Sequence, residues 1–133
     1  MLRAVADTHT VIWYIFADAR LSATARSTIE QIAADGDVVG FSSITLAEII
    51  YLSEKGRISP ATFSRLLAEV DRQDAVLGEI PFDRKIAQIM PSVDRTQIPD
   101  FPDRIIAATA LSCGVPLISR DRQIRLSTVN TIW

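Results

Sequence analysis

Short apolar segments alternate along the chain with stretches of helical periodicity, and no other feature of the sequence constrains the fold as strongly. We predict strands at residues 2–6, 38–41, 76–80, 115–119 and 129–133. These segments lack the every-second-residue polarity of a strand with one solvated face, so both of their faces are expected to be buried. A length of 133 residues fits one domain. The sequence therefore predicts an α/β fold, a single-domain α/β/α sandwich over residues 1–133 with a central, mostly parallel sheet.

Helix start and stop signals separate the predicted strands. We predict helices over about residues 11–17, 23–34, 44–55, 61–70, 86–90 and 103–112. Ser22 and Asp100 are typical N-cap residues, while Gly36 and Gly114 follow the last helical positions of their segments. Strands that alternate with helices of this length indicate crossover connections between parallel strands.

Composition excludes several classes of protein. The 14 basic and 16 acidic residues give a net charge of −2, which argues against binding nucleic acid through overall positive charge. One histidine, His9, and one cysteine, Cys113, exclude Cys/His zinc sites and an intrachain disulfide. The longest apolar run, residues 11–17, is far shorter than the ~18 residues that span a bilayer, and no secretory leader is recognisable. We expect a cytoplasmic protein that does not enter the membrane.

Two aspartates follow predicted strands at the edge where ligands collect in open parallel sheets. Asp7 comes directly after the first strand, and Asp121 comes two residues after the fourth. Either aspartate could instead be a helix cap or a loop residue. Asp103 has the same ambiguity, because Asp100 and Asp103 have the spacing of an N-cap and the third helical residue.

Glu48 lies in a predicted helix that is apolar almost all the way round, with little solvent-facing surface before Ser53. A lone carboxylate between Ile44 and Leu52 would be desolvated at a cost of several kcal/mol or would take up a proton. Glu48 therefore needs a partner. An arginine, the edge of a crevice and a metal ion all remain possible at this point.

The four carboxylates of Asp7, Glu48, Asp103 and Asp121 come from four different predicted elements. If they converge, they cannot all stay ionised without cations. Oxygen ligands with almost no histidine select a hard ion, Mg²⁺ or Mn²⁺, which keeps several waters and binds phosphate substrates.

With these residues in place, the chain resembles the PIN-domain ribonucleases, in particular the VapC-type toxins of bacterial toxin–antitoxin pairs. The matching strings are VADTHTVIWYI at 5–15, SSITLAEIIYL at 42–52, DFPDRIIAATA at 100–110 and LISRD at 117–121. Two departures stand out: the proline of DFPDR comes one position later than in the common order DPFDR, and His9 stands where serine or asparagine is frequent. The match covers nearly the whole length.

The resemblance implies a metal-dependent endoribonuclease that binds one or two Mg²⁺ or Mn²⁺ ions. In that interpretation Asp7, Glu48, Asp103 and Asp121 form the acidic metal site, with Asp7 as the central ligand, and Glu48 positions or deprotonates the attacking water. Thr8 and Ser119 are expected to support these carboxylates through their hydroxyl groups. The resemblance further implies an RNA substrate cut to 5′-phosphate and 3′-hydroxyl ends, a cognate antitoxin protein that blocks the acidic pocket, and often a homodimer.

Four arginines lie close in sequence to Asp103 and Asp121, and we consider them for contact with RNA phosphates: Arg104, Arg120, Arg122 and Arg125. Surface solubility or local ion pairing is an equally good explanation for each. Exposed-looking aromatic residues, Trp13, Tyr14 and Phe16, and the stripe Phe63, Leu66, Leu67 and Val70 are candidates for dimer or antitoxin surfaces, although core packing is the better interpretation.

Two other functions compete with the nuclease. Mg²⁺-dependent phosphotransfer or phosphatase domains also carry aspartates after strands, but a phosphatase of the haloacid-dehalogenase type needs a second aspartate where this chain has His9. A non-catalytic module with the same fold could bind RNA or protein. An intact set of four carboxylates argues against that module.

Overall fold

The computed structural model describes all residues from 1 to 133 and has one five-stranded sheet. Its strands are β1 (Leu2–Ala6), β2 (Val38–Ser42), β3 (Leu77–Ile80), β4 (Leu117–Ile118) and β5 (Thr131–Ile132). The strand order is β3-β2-β1-β4-β5, and every neighbouring pair is parallel. The predicted α/β fold with a parallel sheet is confirmed, although β4 and β5 are shorter than the apolar runs that predicted them.

Seven α-helices connect and cover the strands. They are α1 (Thr8–Ile15), α2 (Ala23–Ala34), α3 (Ile44–Glu54), α4 (Thr62–Val70), α5 (Arg84–Ile89), α6 (Phe101–Cys113) and α7 (Arg122–Arg125), with a 3₁₀ turn at Met90–Ser92. The bounds of α2 agree with the prediction, but α1 and α6 begin earlier. Each begins directly after an aspartate, Asp7 or Asp100, that accepts a hydrogen bond from a backbone amide of the first turn.

Both faces of the sheet are buried, as a parallel sheet requires. Strand β1 shows this most clearly, because Ala4 and Ala6 pack into one apolar cluster and Val5 packs into the other. The first cluster is built around Phe41, with residues of α1 to α4, and the second is built around α6. The α/β/α layering follows from these two cores.

The expectation that α3 has little solvent-facing surface is wrong. Ile50 and Tyr51 are 44% and 54% exposed, and only Thr45 and Ile49 are buried on this helix. The helix packs on the molecule along one side, so its apolar sequence is not matched by burial all round. By contrast, Trp13 is buried, which agrees with core packing for this residue.

The order of the strands decides where functional groups gather. Strand β1 is central, with β2 on one side and β4 on the other, so Asp7, Ser43 and Ser119 all leave the sheet at the same carboxyl edge. Helix α6 crosses near this edge with its N-terminus. None of the helices in the chain is long and apolar enough to cross a bilayer.

Candidate active site

A cleft of about 500 Å³ opens at the carboxyl edge of the sheet, and several charged groups converge in it. It is lined by Asp7, Thr8, His9, Trp13, Glu48, Asp100, Asp103, Arg120, Asp121 and Arg122. Five of these ten residues carry carboxylates, and none of the five takes part in an ion pair. The four carboxylates that the sequence singles out thus line one cleft.

Asp7 lies deepest of the carboxylates, with 7% of its surface exposed. One oxygen, Oδ1, accepts the Thr10 amide at 3.0 Å and so caps α1. The other oxygen, Oδ2, accepts the Ser119 hydroxyl at 2.5 Å. Ser119 is fully buried and its Oγ also accepts the Asp121 amide at 3.0 Å. One serine therefore ties the end of β4 to Asp7 and sets the start of the Asp121 loop.

Glu48 reaches the cleft from α3 and is held by hydroxyl groups. Thr8 Oγ1 donates to Glu48 Oε1 at 2.5 Å and lies 3.0 Å from Thr45 Oγ1. Because the Thr8 proton is used toward Glu48, Thr45 must be the donor in the second bond. Burial raises the pKa of Glu48 even though the Thr8 hydrogen bond opposes that shift. The predicted need for a partner is met by threonine, not by arginine.

Asp103 is the most strongly perturbed acid in the molecule. Burial, followed by repulsion from Asp100, Asp121, Asp7 and Glu48, raises its pKa to about 7. A shift of this size comes from like charges gathered in a partly dry site. Asp100 lines the same cleft and caps α6 through the Asp103 amide at 3.0 Å. Both aspartates of the DFPDR string therefore border the site.

Asp121 caps α7, a single helical turn that the sequence analysis does not predict. Its Oδ1 accepts the Ile124 amide at 3.1 Å. The cap orients the carboxylate group beside the end of β4, next to Ser119. The only sequence signal for this turn is Asp121 itself, since a four-residue helix shows no apolar periodicity.

The carboxylates match the donors that a hard divalent cation prefers, and their mutual repulsion calls for positive charge. In the structure no three of these groups lie close enough together to ligate one ion. Capping explains part of this separation, because Asp7, Asp100 and Asp121 each direct one oxygen to a backbone amide. The residue types fit Mg²⁺ or Mn²⁺, and the cleft contains no competing lysine or cysteine.

The arginines divide into two groups. Arg120 and Arg122 line the cleft. Arg104, also considered for RNA, instead donates from Nη2 to the carbonyls of Met90 and Val93 at 2.9 and 3.2 Å, and its Nε is buried without a partner. Its neighbour Asp103 faces the cleft, but successive helical residues point about 100° apart. Arg104 thus braces α6 against the 3₁₀ turn, and Arg125 does not border the cleft.

Two further cleft residues, His9 and Trp13, are given no role in the active site by the sequence analysis. His9 is exposed at the second position of α1, and its ring lies 5.5 Å from that of Trp13. The signal that could have identified them is their spacing after Asp7, which places both on the helix that Asp7 caps, one helical turn apart.

Comparisons with known proteins agree with this arrangement. The PIN domain family model matches residues 4–127. Ribonuclease VapC22 of Mycobacterium tuberculosis is 31% identical over 94% of this chain and 92% of its own length. VapBC2 from Rickettsia felis, solved with a DNA fragment from its promoter, superposes with a TM-score of 0.71 at 19% identity, covering 98% of this chain and 97% of the other. A toxin–antitoxin complex from Klebsiella pneumoniae gives 0.61 at 22% identity, covering 91% and 89%. The chain therefore belongs to the PIN-domain family and, within it, to the VapC-type ribonucleases.

Proposed function

We propose that this protein is a divalent-metal-dependent endoribonuclease that acts as the toxin of a toxin–antitoxin pair. The observation that carries the proposal is the cleft at the carboxyl edge, where five carboxylates gather and none of them forms an ion pair. A structural role would pair such charges, because unpaired carboxylates that are partly buried lower stability. The relation to Ribonuclease VapC22 supports RNA as the substrate.

Asp7, Asp103 and Asp121 would hold one or two Mg²⁺ or Mn²⁺ ions. When bound, the metal polarises the scissile phosphate and lowers the pKa of water. Ser119 keeps Asp7 oriented through the hydrogen bond that its hydroxyl donates to Asp7 Oδ2. Asp100, directly beside Asp103, adds negative charge to the same side of the cleft.

Glu48 would orient the attacking water and accept its proton. Its raised pKa makes it a better base than an ordinary glutamate, and the Thr45–Thr8–Glu48 chain of hydroxyl groups fixes its position. Arg120 and Arg122 would contact RNA phosphates at the opening of the cleft. The products would carry 5′-phosphate and 3′-hydroxyl ends.

A cleavage assay tests the proposal. The full chain is incubated with single-stranded and structured RNAs in Mn²⁺, in Mg²⁺ and in EDTA, alongside Asp7→Asn. We expect cleavage only of accessible single-stranded segments, only with metal, and only by the unmodified chain. Asp74→Asn is the matched control, because this exposed aspartate precedes β3 at the opposite edge of the sheet. Cleavage that persists in EDTA and in Asp7→Asn would rule out the metal site.

An antitoxin partner and a homodimer complete the proposal. The Klebsiella structure with this fold is a toxin–antitoxin complex, and α3 and α4 present Ile50, Tyr51 and Leu67 to solvent. Light scattering would give the molar mass of the chain alone and with the product of an adjacent gene. A monomer at high micromolar concentration excludes the homodimer, and unchanged cleavage in the presence of a bound partner excludes inhibition. We propose a cytoplasmic location, where an RNA substrate and the antitoxin partner would both be present.

A further inference from the structure

A cluster of aromatic and cationic side chains surrounds Trp13, and three of its members, His9, Trp13 and Arg120, line the cleft. Trp13 is its centre and is 6% exposed. The rings of His9 and Trp133 lie 5.5 and 5.9 Å from it, both tilted. The guanidinium carbons of Arg20 and Arg120 lie 5.3 and 5.6 Å from its ring centre. We call His9, Trp13, Arg20, Arg120 and Trp133 the rim cluster.

The two arginines of the rim cluster differ in what else they bind. Arg20 is held by Asp18 through two side-chain bonds, Nε to Oδ1 at 3.1 Å and Nη2 to Oδ2 at 2.8 Å. Arg120 makes no hydrogen bond and no ion pair, although it lines the same cleft as five carboxylates. Its contact with Trp13 positions it while all five of its N–H donors remain available. A phosphate group is the natural ligand of such a guanidinium.

His9 differs from Trp13 in exposure. Trp13 is covered by its neighbours, whereas His9 is exposed and borders the cleft two residues after Asp7. A flat ring supported from one side by another ring is the platform on which nucleobases stack. A base and its phosphate are joined through a single sugar, so a ring and a free guanidinium on the same support match one nucleotide. An acidic protein segment would use Arg120 but would leave the His9 ring without a partner.

Resting on the proposed ribonuclease function, we propose that the rim cluster is a nucleotide subsite for single-stranded RNA. His9 stacks on a base next to the scissile phosphate, and Arg120 binds a neighbouring backbone phosphate. Trp13 is a positioning residue that holds both. This subsite gives the enzyme a requirement for a stacked base at one position of its substrate.

A thermodynamic cycle between protein and RNA tests the stacking. The RNA is a hexamer spanning the mapped cleavage site, and a series of hexamers carries one abasic nucleotide at each successive position. Binding is measured in Ca²⁺, with the RNA checked for integrity, through tryptophan fluorescence, since both tryptophans of the chain belong to the rim cluster. His9→Ala should weaken binding about 5- to 10-fold. An abasic nucleotide at one position should weaken binding by the unmodified chain to the same extent. Combining His9→Ala with that abasic nucleotide should weaken binding no further.

Variants separate stacking from charge. His9→Phe should restore binding, because it keeps the ring and removes the imidazole nitrogens. Arg120→Ala should weaken binding of every hexamer and lower the salt dependence by about one phosphate contact. Arg57→Ala is the control, since Arg57 is exposed after the end of α3, away from the carboxyl edge.

Four results would overturn the inference. The first is that His9→Ala and each abasic position act additively. The second is that both rim variants bind RNA normally but lose a bound antitoxin, which would make the rim cluster a protein contact. The third is that the unmodified chain neither cleaves nor binds RNA, which overturns the ribonuclease as well. The fourth is that the unmodified chain cleaves RNA while His9→Ala binds RNA normally, which overturns the subsite alone.

Discussion

Carboxylates form ion pairs at one edge of the sheet and form none in the cleft at the other. At the amino edge, Arg3 Nη1 binds Asp35 at 3.0 Å and Asp37 at 2.9 Å, and the N-terminal amine binds Asp37 at 3.1 Å. At the carboxyl edge, five carboxylates share a cleft with two arginines and form no ion pair. Strand β1 joins the two edges, since Arg3 and Asp7 are only four residues apart.

The aspartates at these edges titrate in opposite directions. Hydrogen bonds from Arg3 and the N-terminal amine hold the pKa of Asp37 below its usual value. Burial and neighbouring carboxylates raise the pKa of Asp103 to about 7. The carboxylates at the amino edge are paired with positive groups of the chain itself. Those at the carboxyl edge are neutralised only by a proton or a cation from outside. This difference separates a structural charge cluster from a functional one.

The largest expected effect comes from removing one charge at the carboxyl edge. Asp7→Asn should lower the rate of RNA cleavage at least about 100-fold, because losing a metal ligand costs several kcal/mol of transition-state stabilisation. The fold should persist, since asparagine caps a helix as well as aspartate does. The same substitution at the amino edge, Asp37→Asn, should leave cleavage unchanged. Single-turnover kinetics and circular dichroism measure both, and equal losses in the two variants would erase the distinction between the edges.

The second prediction concerns pH. The pKa of Asp103 is about 7 in the folded protein and 3.8 as its ordinary value, so its favourable contribution is complete below pH 4 and is lost as the pH rises to 7. Without metal, Asp103→Asn should therefore stabilise the protein at pH 8 by about 2 kcal/mol, after a discount for the solvated part of the group. Little difference is expected at pH 4.

Urea unfolding at the two pH values, in EDTA, gives the comparison directly. Mg²⁺ should raise the melting temperature of the unmodified chain more at pH 8 than at pH 5, because the ligand carboxylates must be ionised to bind it. Two results together would contradict the assigned cause. The metal-free unmodified chain would become more stable from pH 4 to pH 8, and the stability of Asp103→Asn would not change.

A smaller effect is expected from the serine that supports Asp7. Ser119→Ala removes the hydroxyl that donates to Asp7 Oδ2 and accepts the Asp121 amide. Metal affinity should fall about 10-fold, as for other groups that orient a ligand. Titration of Mn²⁺ by calorimetry checks this. Ser127→Ala is the control, because that serine caps backbone near the end of α7 and contacts neither carboxylate. Identical affinities in both variants would remove Ser119 from the site.

The smallest effect belongs to the amino edge. Arg3→Gln leaves Asp35 and Asp37 without their guanidinium and should lower the melting temperature only slightly, because exposed ion pairs contribute little. The decrease should shrink in 1 M salt, where the screening length falls to about 3 Å. Cleavage of RNA should be unaffected. Thermal scans at low and high salt test this. A loss of RNA cleavage in Arg3→Gln would contradict the independence of the two edges.

Sequence patterns predict the parts of this fold that depend on local signals. The helix from Ala23 to Ala34 agrees because Ser22 caps it and Gly36, with φ of 75°, follows its end. The alternation of strands with helices also predicts the parallel sheet, because this pattern too is local to each segment of the chain. The strand order then brings the ends of β1 and β4 together, so Asp7 and Ser119 become neighbours.

Side-chain direction and exposure are harder to obtain from sequence. Arg104 follows Asp103 directly, yet one helical step turns its guanidinium to the carbonyls of Met90 and Val93. The apolar face of α3 predicts burial that its packing does not provide at Ile50 and Tyr51. These details depend on which element lies opposite, and residues on one segment do not carry that information.

Three of the cleft's aspartates, Asp7, Asp100 and Asp121, also cap the helices that begin there. An aspartate codon becomes an asparagine codon by one base change, and asparagine keeps the cap while losing the charge. Inactive copies that still fold are therefore one mutational step away from the active gene. A copy silenced in this way would keep the rest of its surface, so the loss of activity does not require passage through an unfolded intermediate.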